Sequence, residues 1–343
     1  MLEKPDLQDE KLIACLRDEY GVLARQVTFL PLGADLNTSV YRVVARDEAV
    51  YFAKLRSGAF DEIIVVLPKF LSDQGVGPII APLPTQTGQL WTRVDAFKLI
   101  LYPFVEGDNG YAIPLSARHW HTLGAALKRL HTTLVPPAIR QRLPQETYTP
   151  QGRTSVKRFV AQIEQERFAD PIASELAAVL QAKRIEILDL VERTERLARD
   201  LQARTPEFVV CHSDLHAGNI LIDTNGTLYI VDWDNPILAL KERDLMYAGG
   251  GQGFSGHTAQ EEETLFYQGY GQTQLDQTAL AYYRYERIVQ DIAVECEHIF
   301  LTAGNDEDRA QSLHYFKSNF LPNGVLAVAY KADKSAEKNA ATS

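Results

Sequence analysis

Cysteine is scarce in this chain of 343 residues: its three copies, Cys15, Cys211 and Cys296, lie far apart and form no C-x-x-C pair. This scatter excludes a disulfide framework and a cysteine-based zinc site, and it is typical of a reducing cytosol. No apolar run approaches the roughly 20 residues that span a bilayer. The charged amino terminus also lacks the apolar segment of a signal peptide. We therefore expect a cytoplasmic protein without a membrane partner.

Positive charge is also in short supply, because 35 Lys and Arg face 45 Asp and Glu, for a formal net charge of −10. Nucleic-acid binding needs a basic surface, so we expect no nucleic-acid partner. An acidic surface instead attracts cationic small molecules. Hydrophobic residues make up 45% of the chain, which is ordinary for a globular protein. The length allows one large or two modest domains.

The predicted secondary structure changes character near residue 103. Before this point, periodicity predicts helices at about 8–20 and 60–72 and strands at 40–44, 50–55, near 90 and at 98–102. After it, the chain is mostly helical, with long helices at about 116–132, 154–168 and 172–202. Short strands at 208–211, 220–222 and 228–231 interrupt these helices.

This change predicts two lobes joined by a hinge. Pro103 cannot donate to a strand ladder and Gly107 permits a turn, so the chain between them is a natural hinge. The end of the chain is rich in Ala, Lys and Ser, with nothing evident to bury, and we expect it to be disordered. The predicted organisation is an N-lobe at 1–103, a hinge at 104–107, a helical C-lobe at 108–330 and a disordered tail at 331–343.

The strongest chemical signal is a His-x-Asp motif that follows an apolar strand. It consists of His212 and Asp214, and Asn219 follows after four intervening residues. A later strand ends at Asp232, and a hairpin would bring Asn219 and Asp232 to one end of a sheet. Phosphoryl transfer needs one carboxylate to orient a hydroxyl and oxygen ligands to hold Mg²⁺. We assign Asp214 as the base and Asn219 and Asp232 as metal ligands, and we interpret His212 as structural.

This pattern resembles the signature of the aminoglycoside phosphotransferase family, which shares the protein kinase fold. Within the family, the chain is most similar to spectinomycin phosphotransferases, from the first helix to about residue 330. The similar stretches are Gly33–Ser39, His212–Asn219, Val231–Pro236, Lys241–Met246 and Tyr282–Val294. The resemblance implies a bilobal α+β fold. Its N-lobe would be a small antiparallel sheet with one main helix, and its C-lobe would be large and mostly helical.

The resemblance also implies an ATP site in the N-lobe. Lys54 lies in a strand between a hairpin and a helix, and it would bind the α- and β-phosphates of the nucleotide. Glu62 in the next helix would orient Lys54 through an ion pair, with Asp61 as the competing choice. The edge of the adenine would bind the carbonyl of Pro103 and the N–H of Val105.

The predicted phosphate loop at residues 33–39 has a single glycine and lacks the G-x-G-x-x-G of protein kinases. Asn37, Thr38 and Ser39 would supply amide and hydroxyl donors there. Asp232 is followed by Trp233 and no activation segment comes after it, which argues against a protein substrate.

The acceptor site is predicted on the helix 282–300, where Asp291 and Glu295 share a face because they are four residues apart. Like charges repel at this spacing, and a bound cation would relieve the repulsion. We therefore predict that Asp291, Glu295 and Asp234 contact a small cationic acceptor, together with the base Asp214. Arg287 offers an alternative interpretation, since it would neutralise one of these acids.

Together these residues predict an ATP- and Mg²⁺-dependent enzyme that phosphorylates a hydroxyl of an aminocyclitol or aminoglycoside such as spectinomycin, and so confers antibiotic resistance. One alternative is a kinase of the same fold acting on choline, homoserine or a sugar. Another is an inactive nucleotide-binding module. The intact set of Lys54, Asp214, Asn219 and Asp232 counts against an inactive module.

Overall fold

The computed structural model describes residues 4–32, 37–250, 253–254, 256–302 and 305–342, with side chains as far as residue 338. Its strands are β1 (Ala24–Leu30), β2 (Thr38–Ala45), β3 (Val50–Arg56), β4 (Thr92–Val94), β5 (Phe97–Pro103), β6 (Gly107–Asn109), β7 (Val209–Cys211), β8 (Ile220–Asp223), β9 (Leu228–Ile230) and β10 (Ile237–Ala239). Its helices are α1 (Asp9–Tyr20), α2 (Ile63–Asp73), α3 (Ala117–Thr132), α4 (Pro137–Arg140), α5 (Gln151–Gln165), α6 (Pro171–Gln202), α7 (Glu242–Leu245), α8 (Ala259–Tyr270), α9 (Gln277–Leu301), α10 (Asp306–Ser318) and α11 (Val325–Thr342).

The first part of the chain forms an antiparallel sheet in the order β1-β2-β3-β5-β4. The predicted hairpin between β2 and β3 is confirmed, with Val44 opposite Val50. One face of the sheet buries Tyr41 and Leu55 against Leu12 of α1. Because β3 is paired on both sides, Lys54 is fixed between Val40 and Ile100. The sheet thus presents Lys54 in a defined register.

Helix α2 begins at Ile63, three residues later than predicted. The Asp61 carboxylate accepts the Ile63 N–H at 2.9 Å and so closes the turn before the helix. This places Glu62 at the N-cap. Leu67 and Leu71 of the helix are fully buried in the same cluster as the helical part of the chain.

A second, smaller sheet carries the chemical motif. Its strands lie in the order β6-β8-β9, and Ile220 pairs with Ile230. Asn219 directly precedes β8 and Asp232 closely follows β9, so both residues lie at one end of this hairpin, as predicted. The Val231 N–H donates to the Asn219 carbonyl at 3.0 Å and closes that end.

The remainder is a helical assembly built around α9, which packs against α5, α6, α7, α10 and α11. Beside it, α3 and α8 cross at very close range. A Cβ at Gly124 would lie 2.1 Å from the carbonyl oxygen of Phe266, and one at Gly269 would lie 1.9 Å from that of His121. Only glycine fits at either position, so the two backbones are in direct contact.

The prediction of a disordered tail from Lys331 is wrong, because α11 continues to Thr342. Asp333 is buried at 1% exposure, and its carboxylate pairs with Arg193 and Arg196 of α6, each at 2.9 Å. Ala332 and Ala336 are buried on the same helix. The Ala, Lys and Ser composition of the tail gave no indication of this helical spacing of buried alanines. Helix α11 packs against α9.

The predicted fold class is confirmed: an antiparallel sheet with one main helix precedes a large, mostly helical part. Among the residues that the structure describes, none of the helices is both long and apolar enough to cross a membrane.

Candidate active site

The loop that carries Asp214 is fixed from beneath by a buried carboxylate. Asp244 of α7 accepts the backbone N–H groups of His212 at 2.9 Å and Ser213 at 2.7 Å. It also contacts Nε2 of His131 at 3.1 Å. Burial opposes the ionised form, but the hydrogen bond and charge of His131 outweigh it and lower the pKa of Asp244. Asp244 is therefore an anionic anchor for the two residues before the base.

His131, Asp244 and Cys211 lie close enough together to resemble a metal site. The Asp244 oxygens already accept two backbone N–H groups, and the other nitrogen of His131 bonds to Tyr270 at 2.9 Å. The Cys211 thiol donates weakly to backbone carbonyls. These hydrogen bonds indicate a structural network rather than a metal centre.

The interpretation of His212 as structural is confirmed. Its Nε2 donates to the Val231 carbonyl at 3.0 Å, and its ring packs against Trp233 at a centroid distance of 4.6 Å. The Nδ1 atom accepts the N–H of Asp214 at 3.3 Å. This residue therefore joins the loop of Asp214 to the chain that follows β9.

Two residues with unusual backbone geometry flank this chemistry. Ser213, just before Asp214, has φ of 73°, and Asp232 has φ of 62°. Left-handed backbone costs a non-glycine residue about 1–3 kcal/mol, and residues that bear this cost cluster at functional sites. The structure offsets this cost at Ser213, whose hydroxyl donates to the Asn235 carbonyl at 2.7 Å.

Asn219 and Asp232 present the oxygens that Mg²⁺ prefers. The Asn219 amide nitrogen donates to the Asp214 carbonyl at 2.8 Å, which leaves the amide oxygen for another partner. The Asp232 side chain is about half exposed. Burial would raise the pKa of Asp232, but the charge of Lys54 outweighs it and lowers this pKa, so the carboxylate is ionised. This donor set fits the predicted metal.

The Lys54 side chain extends from the five-stranded sheet to the end of the β8–β9 hairpin. Its Nζ lies 2.8 Å from Asp234 and 3.2 Å from Asp232. Burial alone would lower the pKa of Lys54, but the two carboxylates outweigh it and raise this pKa. Arg56 on the same strand also contacts Asp234. A positive pair on β3 is thus held against the end of the β8–β9 hairpin.

The predicted ion pair between Lys54 and Glu62 is wrong. Glu62 accepts a hydrogen bond from Trp91 at 3.0 Å and faces Arg142 at 3.6 Å. The competing choice, Asp61, also pairs with Arg142, at 2.8 Å. Because α2 starts only at Ile63, both acids lie before its first turn, and both pair with Arg142 instead of Lys54.

Asp234 was predicted as an acceptor contact, and the structure places its carboxylate against Lys54 and Arg56. It also lines a cleft of about 650 Å³ that it shares with Asp214 and Arg287. Asp234 therefore lies between the cations of β3 and the cleft beside Asp214, and its acceptor role stays a prediction.

Arg287 of α9 connects the acidic residue Asp291 on the same helix to Asp214. Its Nη1 donates to Asp214 Oδ1 at 2.6 Å, and its Nε lies 3.0 Å from Asp291. Burial raises the pKa of Asp291, and Arg287 only partly offsets this. Burial also raises the pKa of Glu295, one turn further on, to about 7. The alternative interpretation of Arg287 is thus correct for Asp291.

Tyr111 and His216 form an aromatic wall beside Asp214. Their rings stack at a centroid distance of 5.8 Å, and His216 Nε2 lies 3.7 Å from Asp214 Oδ2. More than half of Tyr111 is exposed. Burial of its hydroxyl raises the pKa of Tyr111. The charge of Arg287 opposes this rise, and the charge of Asp291 adds to it. An exposed aromatic face therefore borders the carboxylates of α9.

The other residues predicted to bind the nucleotide lie in the sheet or next to it. Thr38 and Ser39 belong to β2, opposite Arg56 and Leu55, and Asn37 accepts the N–H of Ser57 through its carbonyl. Residues 33–36 of the predicted phosphate loop lie outside the described residues. Pro103 ends β5 and Val105 follows it. The adenine contacts of Pro103 and Val105 stay predictions.

Three residues that shape the site, Asp244, Tyr247 and Tyr111, were not predicted from the sequence. Asp244 lies in the similar stretch Lys241–Met246, which was the available signal for it. Tyr247 donates to the Ser213 carbonyl at 3.0 Å and contacts Asp214 Oδ1 at 3.3 Å. Tyr111 carried no signal, because nothing local marks a loop tyrosine that stacks on a residue 105 positions away.

A lysine on a central strand, a carboxylate on a rigid loop and an Asn–Asp pair at the end of a hairpin define a kinase-fold phosphotransferase. Comparison with known proteins agrees with this class. The model of the phosphotransferase enzyme family matches residues 28–273. The chain belongs to this family, the aminoglycoside phosphotransferases, as the motif predicted.

The comparisons also identify individual relatives. A crystal structure of spectinomycin phosphotransferase APH(9)-Ia in complex with ADP and spectinomycin is 37% identical, with a TM-score of 0.89, and the match covers 96% of this chain and 99% of that one. Its AMP-bound complex is 36% identical, with a TM-score of 0.84 and coverage of 94% and 98%. Protein StrN of Streptomyces griseus is 28% identical over 230 residues, which cover 63% of this chain and 67% of StrN. The chain is thus a nucleotide-dependent kinase of a small molecule.

Proposed function

We propose that this enzyme transfers the γ-phosphoryl group of ATP to a hydroxyl of a cationic aminocyclitol, with spectinomycin as the leading candidate. The observation that carries this proposal is the charge at the base: Asp214 and Asp291 share a single arginine, Arg287. The cluster has one carboxylate more than it has cations, which suits one ammonium group. Similarity to spectinomycin phosphotransferase over nearly the whole chain supports the same acceptor class.

The exposed ring of Tyr111 supports a cationic acceptor independently. Aromatic faces attract ammonium groups through the ring quadrupole, by about 0.5–2 kcal/mol. Tyr111 stacks on His216, which lies beside Asp214. A cation bound by Asp291 and Glu295 would have this ring as one wall.

Each residue has a defined part in the proposed reaction. The acceptor oxygen forms a bond to the γ-phosphorus while the bond to the β,γ-bridging oxygen breaks and ADP leaves. Asp214 orients the hydroxyl and takes its proton, and Lys54 holds the phosphates. Asn219 and Asp232 would hold Mg²⁺, which supplies neutralisation of the phosphate charge when bound.

The remaining parts of the proposal concern the nucleotide pocket and the role in the cell. Asn37, Thr38 and Ser39 would face the phosphates, and Pro103 and Val105 the adenine. The chain at 104–107 would act as a hinge, since β5 ends at Pro103 and β6 begins at Gly107. Modification of spectinomycin in the cytoplasm would confer resistance on the host.

The test is a pair of variants on one helix. Asp291→Asn should raise KM for spectinomycin about 10-fold and leave KM for ATP unchanged, because a charge-assisted hydrogen bond to an ammonium is worth about 1.5–3 kcal/mol. Glu297→Gln is the matched control, since its carboxylate faces Ser155 and Arg158 instead of the cleft. Steady-state ATP consumption measures both variants. Equal KM values for the two variants would refute the acceptor assignment, and a parallel screen with choline, homoserine and sugars would identify a metabolite acceptor.

A further inference from the structure

The two oxygens of the Asp214 carboxylate have different surroundings. Oδ1 accepts a hydrogen bond from Arg287 Nη1 at 2.6 Å and contacts the Tyr247 hydroxyl at 3.3 Å. Oδ2 lies 3.7 Å from His216 Nε2, which is beyond hydrogen-bond distance. Among the described residues, Oδ1 of Asp214 is therefore hydrogen-bonded and Oδ2 accepts no hydrogen bond, and Asp214 itself lines the cleft.

Arg287 is itself fixed at several points. Its Nε lies against Asp291, one turn along α9, and its Nη1 also donates to Tyr247 at 3.3 Å. About three quarters of the side chain is buried. If Arg287 served only to neutralise Asp291, its second nitrogen would not need to reach Asp214. The guanidinium thus bridges an acid on α9 and the base on its loop, a geometry that suits its rigid, planar fork.

Arg284, three residues earlier on α9, shows what a structural arginine does in this part of the molecule. It is buried, and it donates to the backbone carbonyls of Met246 and Ala248 at 3.4 and 3.3 Å. Arg284 therefore supports the chain after α7, whereas Arg287 contacts the reactive carboxylate directly. Both arginines approach the same segment, but only Arg287 touches Asp214.

From this geometry we infer that Arg287 is a positioning residue that holds Oδ1 of Asp214 and thereby turns Oδ2 toward the acceptor hydroxyl. The inference rests on the proposed role of Asp214 as the base. Phosphoryl transfer passes through a loose transition state, in which orienting the nucleophile counts for more than strong proton abstraction. A carboxylate free to rotate about χ2 would orient the hydroxyl for only part of the time. Arg287, assisted by Tyr247, removes that freedom.

The test compares Arg287→Ala, Arg287→Lys and the wild type with ATP and spectinomycin. Arg287→Ala should lower kcat roughly 10- to 100-fold, the loss expected when a charge-assisted hydrogen bond is removed, and leave KM for ATP unchanged. Arg287→Lys should lose less, since it keeps the charge but not the fork. Millimolar guanidinium chloride should restore part of the activity of Arg287→Ala, with sodium chloride at equal concentration as the salt control. Purely structural damage would not respond to guanidinium.

A matched control removes an arginine from a similar pair elsewhere. Arg193 contacts Asp189 at i,i+4 spacing and Asp333 of α11, so Arg193→Ala should leave kcat unchanged. If Arg287→Ala fails to fold, Tyr247→Phe and Arg287→Lys decide the matter, each with a several-fold loss of kcat and an unchanged KM for ATP. Wild-type kcat in Arg287→Ala, or a loss that neither lysine nor guanidinium reduces, would overturn the inference.

The two proposals fail in distinguishable ways. If the wild type does not phosphorylate spectinomycin, the acceptor assignment is wrong, and hydrolysis of ATP with water as the acceptor becomes the readout for the same variants. In that assay Arg287→Ala should again be slower than Arg287→Lys. Equal rates in the two variants would contradict the role of Arg287 for any acceptor.

Discussion

At the scale of single residues, the site depends on buried groups that are remote from the reaction. Asp244 fixes the loop before the base, and Glu262 does the same for the chain that follows Tyr247. Glu262 is buried on α8 and accepts the Gly249 N–H at 3.2 Å. Burial raises the pKa of Glu262 to about 7 from its ordinary value of 4.5. A group of this kind makes the stability of the fold depend on pH.

The direction of this dependence follows from proton binding. Between about pH 4.5 and 7, folded Glu262 keeps a proton that the unfolded chain has released, so stability falls as the pH rises through this window. Glu262→Gln keeps an acceptor for Gly249 and cannot ionise. We expect Glu262→Gln to be more stable than the wild type at pH 8, by on the order of 3 kcal/mol at most, and equal to it near pH 4, below the window. Urea unfolding at the two pH values measures this, with Glu297→Gln as the control. A constant difference between wild type and Glu262→Gln would contradict it.

At the scale of elements, the sequence pattern predicted those features that depend on residues close together in the chain. The β2–β3 hairpin, the Ser116 cap of α3 and the β8–β9 hairpin all follow from nearby residues. The partner of Lys54 could not be found in this way, because Asp234 is 180 positions away and competes with Glu62, eight positions away. The tail was missed for a related reason. Its helix is stabilised by contacts with distant helices, whereas its composition alone suggested disorder.

Helix α11 gives the element-scale prediction. Removal of residues 331–343 should destabilise the fold by about 2 kcal/mol, because Arg193 and Arg196 lose Asp333 and two buried alanines are lost. Removal of residues 339–343 alone is the control and should cost little. Thermal unfolding of both truncated proteins measures the difference. Equal melting temperatures would mean that α11 adds nothing to stability.

At the scale of the whole molecule, the net charge of −10 acts on the encounter with the acceptor. A cationic acceptor is drawn toward an acidic protein, and salt screens that attraction over about 10 Å at 0.1 M. We expect kcat/KM for spectinomycin to fall as sodium chloride is raised from 0.01 to 0.3 M, by about 3- to 10-fold. In Asp291→Asn the fall should be shallower. A salt-independent kcat/KM in the wild type would show that charge does not guide acceptor binding.

The crossing of α3 and α8 bears on how this enzyme can evolve. Gly124 and Gly269 leave no room for a side chain, and α8 carries Glu262, which holds the chain beside the base. A side chain at either glycine would push α3 and α8 apart and disturb the contact of Glu262 with Gly249. By contrast, more than half of Tyr111 is exposed. Sequence change in this enzyme is therefore expected at exposed positions such as Tyr111 and not at Gly124 or Gly269, which the crossing of α3 and α8 requires.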